Sequence, residues 1–416
     1  MSKEIAIIGG GASGLVAAYY ACKNPENHVT VYEKNEIAGK KLRQTGNGRL
    51  NFSNEDLSLV HYEHYSDNPD PGFLHSMVLE DDVKCIDAIL SQNGLNEYVS
   101  FLEELGVPSF EKNGYYYPYS ERAGEVSEIL YKTLAKRGVD FMFSSTIKDV
   151  SVDEGGRFSI QDKKYDSVIL ACGGKAMPNS GSDGGGFKIA RFFEHTVTYT
   201  YPVLVPLCVS DGQILKELAG VRVKGEVAGY VDDVLLKKDY GEIQFTEKYI
   251  SGIPVFQLSR HLTKAIEELK NVKIICDFFP ELLNDDMDKF IERRKEVKYD
   301  ASFEELFEGI LPEKLYRFLL DRFIKETKEH SLEISQEKAF LIYLKSFPIE
   351  ISGHAGFENA QCTRGGIVLS ELSDNLESKL VPNLYMIGEM LNVDGDCGGY
   401  NLQWAYSSGR IAGENA

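Results

Sequence analysis

Near the start of the chain, three glycines and one carboxylate have the types and spacing that hold a pyrophosphate and a ribose. Gly9, Gly11 and Gly14 form G-x-G-x-x-G, and Glu33 follows about twenty residues on. Gly9 permits a tight turn, Gly11 lets backbone approach a pyrophosphate, and Gly14 lets a helix pack close to a sheet. Ala12 and Ser13 lie in the same turn, where unpaired N–H groups and the positive end of a helix dipole favour phosphate. Glu33 can accept from ribose hydroxyls, which favours a cofactor without a 2′-phosphate there. Lys34 beside it joins the candidate cofactor contacts. These residues do not choose between FAD and NAD.

The other end of the chain supplies that choice. Leu384-Tyr385-Met386-Ile387 is an apolar run ending in Gly388-Glu389, where the glycine permits close approach and the carboxylate can accept from a ribityl hydroxyl. Gly398-Gly399 then precedes a helical run containing Asn401 and Leu402, which would aim a helix start at the flavin N1/C2 edge. Read alone, this is equally a routine strand, turn and helix. Paired with the opening motif it favours FAD, because an NAD enzyme has no need of it.

Between the two lies a basic, glycine-rich loop from Gly39 to Asn54. Cations clustered just after a dinucleotide motif suit an anionic cofactor, so Lys41, Gly46, Asn47 and Gly48 are placed with it; the alternative is a solvated surface loop. Arg49, Asn51 and Tyr400 are the candidate catalytic residues. Arg49 could polarise a carbonyl, hold a carboxylate or bind the FAD phosphates. A substrate would stack over the flavin between this loop, the Tyr400–Trp404 element and the inserted region. Trp404, the single tryptophan, is expected to pack the final helix, and His354 to be structural or solvent-facing. No metal site is expected: His61 and His64 alone have ligand-like spacing, and such a pair is usually surface. No nucleophile triad is visible.

The elements that must position these residues read as an α/β chain. Ile5 to Ile8 is a buried-strand run, Leu15 to Lys23 a helix, and His28 to Tyr32 a second strand. Residues 81 to 106 and 122 to 136 have helical spacing. Gly114 to Pro118 is an aromatic strand or loop, for pocket or for packing. Three short strands are expected next: Phe141 to Ser144 and on through Ile147, Arg157 to Gln161, and Ser167 to Ala171, with Gly155-Gly156 turning between the first two. Gly181 to Gly186 follows no apolar strand and reads as a loop leading into a helix. Val221 to Thr246 reads as hairpin strands broken at Asp232-Asp233 and Tyr240-Gly241, Ser251 to Lys270 as a helix, and Asn284 to Lys345 as charged and mostly helical. The expected domains are 1–190 with 351–416, a β-rich insert over 191–250 and 335–350, and a helical subdomain over 251–334.

At 416 residues the chain can build two or three cores, and 43% hydrophobic with 26% charged residues is ordinary for a globular protein. A net charge of −19 repels phosphate backbones, so no nucleic-acid partner is expected. No apolar run nears the ~20 residues of a membrane span, and no signal-peptide pattern opens the chain. Seven cysteines without C-x-x-C argue against a zinc site or disulfide framework. A cytoplasmic location is expected; the oligomeric state is open.

Gly39 to Asn54, Gly114 to Pro118, Ile250-Ser251-Gly252-Ile253-Pro254 and Gly388 to Ala405 together resemble the bacterial flavoprotein family that includes aminoacetone oxidase and the BaiN-type bile-acid reductase. The likeness covers nearly the whole chain, and Asp394-Gly395 through Asn401-Leu402-Gln403-Trp404 is its most specific block. It implies a Rossmann-like, two-dinucleotide-type FAD domain with an inserted β-rich domain and a helical subdomain, binding FAD non-covalently. It also implies a backbone contact to adenine from the strand near Ile147, and an approach of Cys172-Gly173 to the nucleotide. Two positions depart from the family: Leu50 stands where a cysteine is usual, which excludes a thiol role, and Tyr249 replaces a glycine. Two activities suit a small-molecule substrate: a reductase passing hydride from NADH or NADPH through FAD to an unsaturated carbonyl compound, and an oxidase passing electrons from a small amine to oxygen. An RNA-modifying or redox-sensing flavoprotein is a third reading, opposed by the acidic charge and the lack of paired cysteines. Family analogy favours the reductase.

Overall fold

A computed structural model describes residues 2–63, 73–327 and 334–416, with backbone alone over 73–81. The chain forms two compact units, Met1–Pro202 with Gln361–Ala416, and Val203–Ala360.

The first unit is built on five strands: β1 (Glu4–Ile8), β2 (His28–Tyr32), β3 (Asp140–Met142), β4 (Ser167–Leu170) and β5 (Leu384–Met386). They form one parallel sheet in the order β5-β4-β1-β2-β3. Ile5, Ala6, Ile7, Val31, Val168, Ile169 and Leu384 are fully buried, so β1, β2, β4 and β5 are covered on both faces and read as apolar runs, while β3 at the edge exposes Asp140 and Met142. The first helix, Ala12–Ala21, crosses to β2 and packs against the final helix, Tyr400–Asn415. Small residues make that approach possible: a Cβ on Gly409 would stand 2.6 Å from the Ser13 carbonyl oxygen, and one on Gly413 2.4 Å from that of Ala17. The chain's two ends therefore meet on one sheet.

The second unit is a closed six-stranded barrel, ordered Leu207–Val209, Ile250–Ser251, Val234–Phe245, Arg222–Val231, Val272–Asp277 and Phe347–His354. Helix Ile253–Glu267 packs on it through Val255, Leu258 and Leu262, close enough that a Cβ on Gly229 would touch Leu262 at 3.3 Å. Helices Met287–Val297, Glu313–Thr327 and Gln336–Lys345 share one hydrophobic cluster with the barrel. The joins fall at 202/203 and 360/361 rather than 190/191 and 350/351, because Phe347–His354 is the strand that closes the barrel. Helices expected to form a separate subdomain over 251–334 instead complete the barrel's core.

Other expectations shift for local reasons. Asp232 and Asp233 have φ of 47° and 63° and turn the Arg222–Phe245 hairpin, but Tyr240-Gly241 lies inside a continuous strand. The Gly155-Gly156 turn joins Ser151–Val152 to Phe158–Ile160, not β3 to the next strand. Ile147 is not in a strand. The chain leaves the sheet at Ser144 (φ 52°), where the amides of Ser144 and Ser145 bond the carbonyls of Asn35 and Glu33. Residues 81 to 106 are broken at Asn93-Gly94 between helices Phe73–Gln92 and Leu95–Glu104.

Candidate functional site: a split nucleotide cradle

Gly9 ends β1 with φ 113°, and a Cβ there would stand 2.3 Å from the Ala171 carbonyl oxygen. A Cβ on Gly14 would meet the Gly9 carbonyl oxygen at 1.9 Å, so the first helix can approach the strand end only with glycine at that position. Around Gly11 the situation reverses: no atom lies within 4 Å of where its Cβ would be. Gly11 caps the helix without a side chain, leaving the first-turn amides around Ala12 and Ser13 facing that opening.

Glu33 is buried at the end of β2. Its Oε2 accepts from the Gly10 amide at 2.9 Å, and its Oε1 accepts from the Asn35 amide and side chain at 2.8 and 2.7 Å. It thus ties the glycine turn to the second strand, with further acceptor capacity on Oε2. Lys34 is paired with Asp183 at 2.7 Å. Cys172 donates its thiol to the Ile8 carbonyl at 3.3 Å, and burial pushes that thiol up to about 12. Gly173 has φ 71° and faces Ser182, whose buried hydroxyl has no hydrogen-bond partner among the described residues. Ile147 is half-buried in the loop beside Glu33.

The C-terminal half of the site adjoins this one. A Cβ on Gly388 would lie 2.4 Å from Ser13 Oγ, so Gly388 passes directly over the first helix's start. Glu389 accepts from the Thr363 amide at 3.0 Å through Oε1 and pairs with Lys41 Nζ at 2.6 Å through Oε2. Trp404 does more than pack: its indole N–H donates to the Gly388 carbonyl at 3.2 Å. Gly399 caps the final helix with φ 99°, and its Cβ position is closed by the Ser53 backbone at 2.5 Å. Asn401 folds back on the preceding turn, accepting from the Gly395 amide at 2.9 Å and donating to its carbonyl at 2.8 Å. Leu402 is half-buried against the core.

The basic loop is ordered rather than open. It winds as helical turns over Leu42–Gly48, broken by left-handed Gly46 and Asn47, and then pairs Ser53–Asn54 with Tyr115–Tyr116. Leu50 is 1% exposed with φ 60°, so the departure from the family motif sits in the core. At Tyr249, the other departure, the backbone closes a turn on the Thr246 hydroxyl. Gly48 has open space around it. Arg49 is exposed, with its guanidinium 5.6 Å from the Tyr117 ring. Asn51, with its amide nitrogen facing the carbonyls of Tyr116 and Ser53 at 3.2 and 3.0 Å, braces the loop.

Tyr400 is buried, stacked on His61 at 4.5 Å and edge-on to Tyr62 at 5.7 Å. Burial, with the charge of Asp396, raises its phenol well above the ordinary value. His61 is no loose surface residue: its Nδ1 lies 2.9 Å from Asp396 and its Nε2 3.2 Å from Asp56. Its expected partner, His64, lies outside the described residues. Motif reading also missed Arg364, a buried cation bonded bidentately to Asp394 at 2.9 and 3.1 Å and to Glu63. Its sequence neighbours, Thr363 before it and Gly365-Gly366 after it, give no sign of that burial. His354 bonds the Gly356 amide and Glu267 within the barrel unit, a structural role.

The residues fit FAD: an open cradle at Gly11, a buried hydroxyl at Ser182 with no hydrogen-bond partner among the described residues, and two glycine-capped helix starts. Fold and site together define an FAD-dependent oxidoreductase with a Rossmann-type domain. The chain belongs to the HI0933-like protein Rossmann domain family, whose model matches residues 3–415. It is 38% identical over 422 residues to the 3-dehydro-bile acid delta(4,6)-reductase of Clostridium scindens, covering 99% of this chain and 98% of that one. Ribosomal RNA dihydrouridine synthases of Haemophilus influenzae and Escherichia coli are 27% and 26% identical, each match covering 97% of this chain and 96% and 95% of theirs. Among the described residues no helix is long and apolar enough to cross a membrane.

Proposed function

We propose that this enzyme reduces a carbon–carbon double bond conjugated to a carbonyl in a small molecule, with NADH or NADPH as the electron donor. The observation that carries the reading is the 38% identity, over almost the full length of both chains, to a reductase named for such a substrate. The dihydrouridine synthases are named for saturating a base double bond that is also conjugated to a carbonyl, so the chemistry is shared across the relatives.

FAD, when bound, would supply the hydride chemistry that links a nicotinamide donor to the double bond. Gly9, Gly11, Ala12, Ser13 and Gly14 would hold the pyrophosphate on backbone amides, and Glu33 would accept from the adenosine ribose. Lys41 and Glu389, with Gly388, would hold the ribityl segment, and Ile147, Cys172 and Gly173 the adenine end. Gly46, Asn47 and Gly48 would let the loop backbone approach, while Gly399, Asn401 and Leu402 would offer the final helix's first amides to the flavin. Tyr400 keeps its proton across the working pH range and is available as a hydrogen-bond donor. Arg49 offers an exposed cation to a substrate carbonyl or carboxylate. The Gly181–Gly186 loop follows a helical turn, Pro178–Ser180, and not a strand, so it does not repeat the opening strand–glycine–helix arrangement; a nicotinamide donor would bind transiently at the flavin face, as the substrate does.

Anaerobic stopped-flow mixing of the FAD-loaded protein tests this. NADH or NADPH should bleach the flavin, and a steroid enone should reoxidise it faster than oxygen does. Bleaching by a small amine alone, with rapid reoxidation by oxygen, overturns the proposal in favour of an amine oxidase. Reoxidation by ribosomal RNA but by no free enone moves the substrate class to nucleic acid.

A further inference from the structure

Resting on the FAD assignment above, we propose that His61 is a positioning residue: it clamps the Asp396–Tyr400 turn from which the final helix starts and sets the field which that turn presents to the flavin. One residue makes four contacts with the turn or its flank. Its ring nitrogens face Asp396 Oδ2 at 2.9 Å and Asp56 Oδ2 at 3.2 Å, its carbonyl accepts from the Asp396 amide at 2.9 Å, and its ring lies on Tyr400 at 4.5 Å and 22°.

The turn needs such a clamp. Gly398 and Gly399 have φ of 139° and 99°, so no side chain at either position fixes its shape. Other holds on it include Asn54, which donates to the Gly398 carbonyl at 3.2 Å, Asn401, and the Tyr62 hydroxyl on the Tyr400 carbonyl. His61 sits where leverage is greatest. The next two residues, Tyr62–Glu63, pair antiparallel with Asp394–Gly395, and Arg364 locks that ladder by bonding both Glu63 and Asp394. His61 extends the anchored ladder onto the turn itself.

The acceptors on either side give the clamp a second effect. A carboxylate oxygen stands opposite each ring nitrogen, so every N–H the ring carries meets an acceptor beside the helix start. Among the described residues the other titratable groups packed here include the phenols of Tyr62, Tyr115 and Tyr400, with the Arg364–Asp394–Glu63 cluster behind them. Without His61, Asp396 and Asp56 would each lose a ring nitrogen beside the helix start, and the turn would loosen. Both changes disfavour negative charge on a reduced flavin.

The test is the midpoint potential of FAD in the intact holoprotein, measured by dye-coupled reductive titration, with FAD content and melting temperature recorded alongside. His61→Phe should keep FAD but weaken the reduced form about tenfold relative to the oxidised one, a fall of about 30 mV for a two-electron couple. His61→Gln should fall less, and His61→Arg, which offers planar N–H donors to both carboxylates, should recover most of the difference. An unchanged potential in His61→Phe overturns the proposal, as does an equal fall in His61→Arg. Should His61→Phe lose FAD, His61→Gln decides by the same criterion, and loss of FAD from both overturns it, since the clamp tunes the site and does not create it. A wild-type protein that binds no FAD overturns the cofactor assignment itself, an outcome separable from any His61 result.

Discussion

At the residue scale, Glu33 is the test of the nucleotide cradle. Its carboxylate receives three N–H groups, and an amide would set a donor against one of them. Hydrogen bonds to a charged group contribute about 1.5–3 kcal/mol each, so Glu33→Gln should weaken FAD binding roughly 10- to 100-fold in a fluorescence-quenching titration. Gly14→Ala should do more damage than its size suggests. The new methyl would fall 1.9 Å from a backbone oxygen that cannot rotate away, so the protein should melt lower and purify without FAD. Cys172 should resist iodoacetamide at pH 8 in peptide-mapping mass spectrometry, because burial holds its thiol near 12. Glycine spacing made Gly9, Gly11, Gly14 and Glu33 legible, since turn, strand and acid are close in sequence. The Lys41–Glu389 pair was not legible as a pair, because 348 residues separate its members.

At the element scale, what matters is how short segments borrow shape from distant ones. The two-residue strand Tyr62–Glu63 and its partner Asp394–Gly395 are too short to hold themselves, and Arg364 supplies the fastening. Arg364→Leu would strand Asp394, 1% exposed, without its cation. Breaking a buried pair from one side costs about 3–5 kcal/mol, so thermal unfolding of the first unit should drop by several degrees, and Arg364→Lys, lacking the bidentate fork, should rescue only part. In the barrel unit Phe340 packs against the rings of Phe303, Phe307, Tyr316 and Phe323; Phe340→Ala should cost about 3–5 kcal/mol there and leave FAD affinity unchanged. Strands β1, β2, β4 and β5 of the parallel sheet were readable as apolar runs because both faces are covered. The end of β3 was misread, since Phe143 and Ile147 look strand-like but the backbone there spends its amides on Asn35 and Glu33.

At the scale of the whole molecule, two hydrophobic clusters belong to two units, and ligand linkage should tell them apart. FAD at 100 times its dissociation constant should add about 2.7 kcal/mol to the unit that binds it, so calorimetry should show one transition rising with FAD and the other fixed. Acid should destabilise the protein in a defined window. The Tyr19 hydroxyl and Lys23 lower Glu104, Arg43 lowers Glu128, and Lys34 with the Gly185 amide outweighs burial to lower Asp183. Groups depressed in the folded state contribute stability that is complete above the ordinary carboxylate value near pH 4 and is lost as pH falls through the lowered values. Melting temperature should therefore be level from pH 7 to 5 and fall below about pH 4.

The sequence by itself determined the cofactor class and the sheet that carries it, because both rest on local patterns: glycines at a turn, an acid one strand later, apolar runs, and a second turn before the last helix. Only the tertiary structure decided which charges meet. Lys41 with Glu389, His61 with Asp396, and Arg364 with Asp394 and Glu63 are set by a fold that returns its C-terminal segment to the first helix. The barrel was equally out of reach, since its closure depends on Phe347–His354 pairing with the distant strands that begin at Leu207 and Val272, and an alternating strand carries no mark of which distant partner it takes.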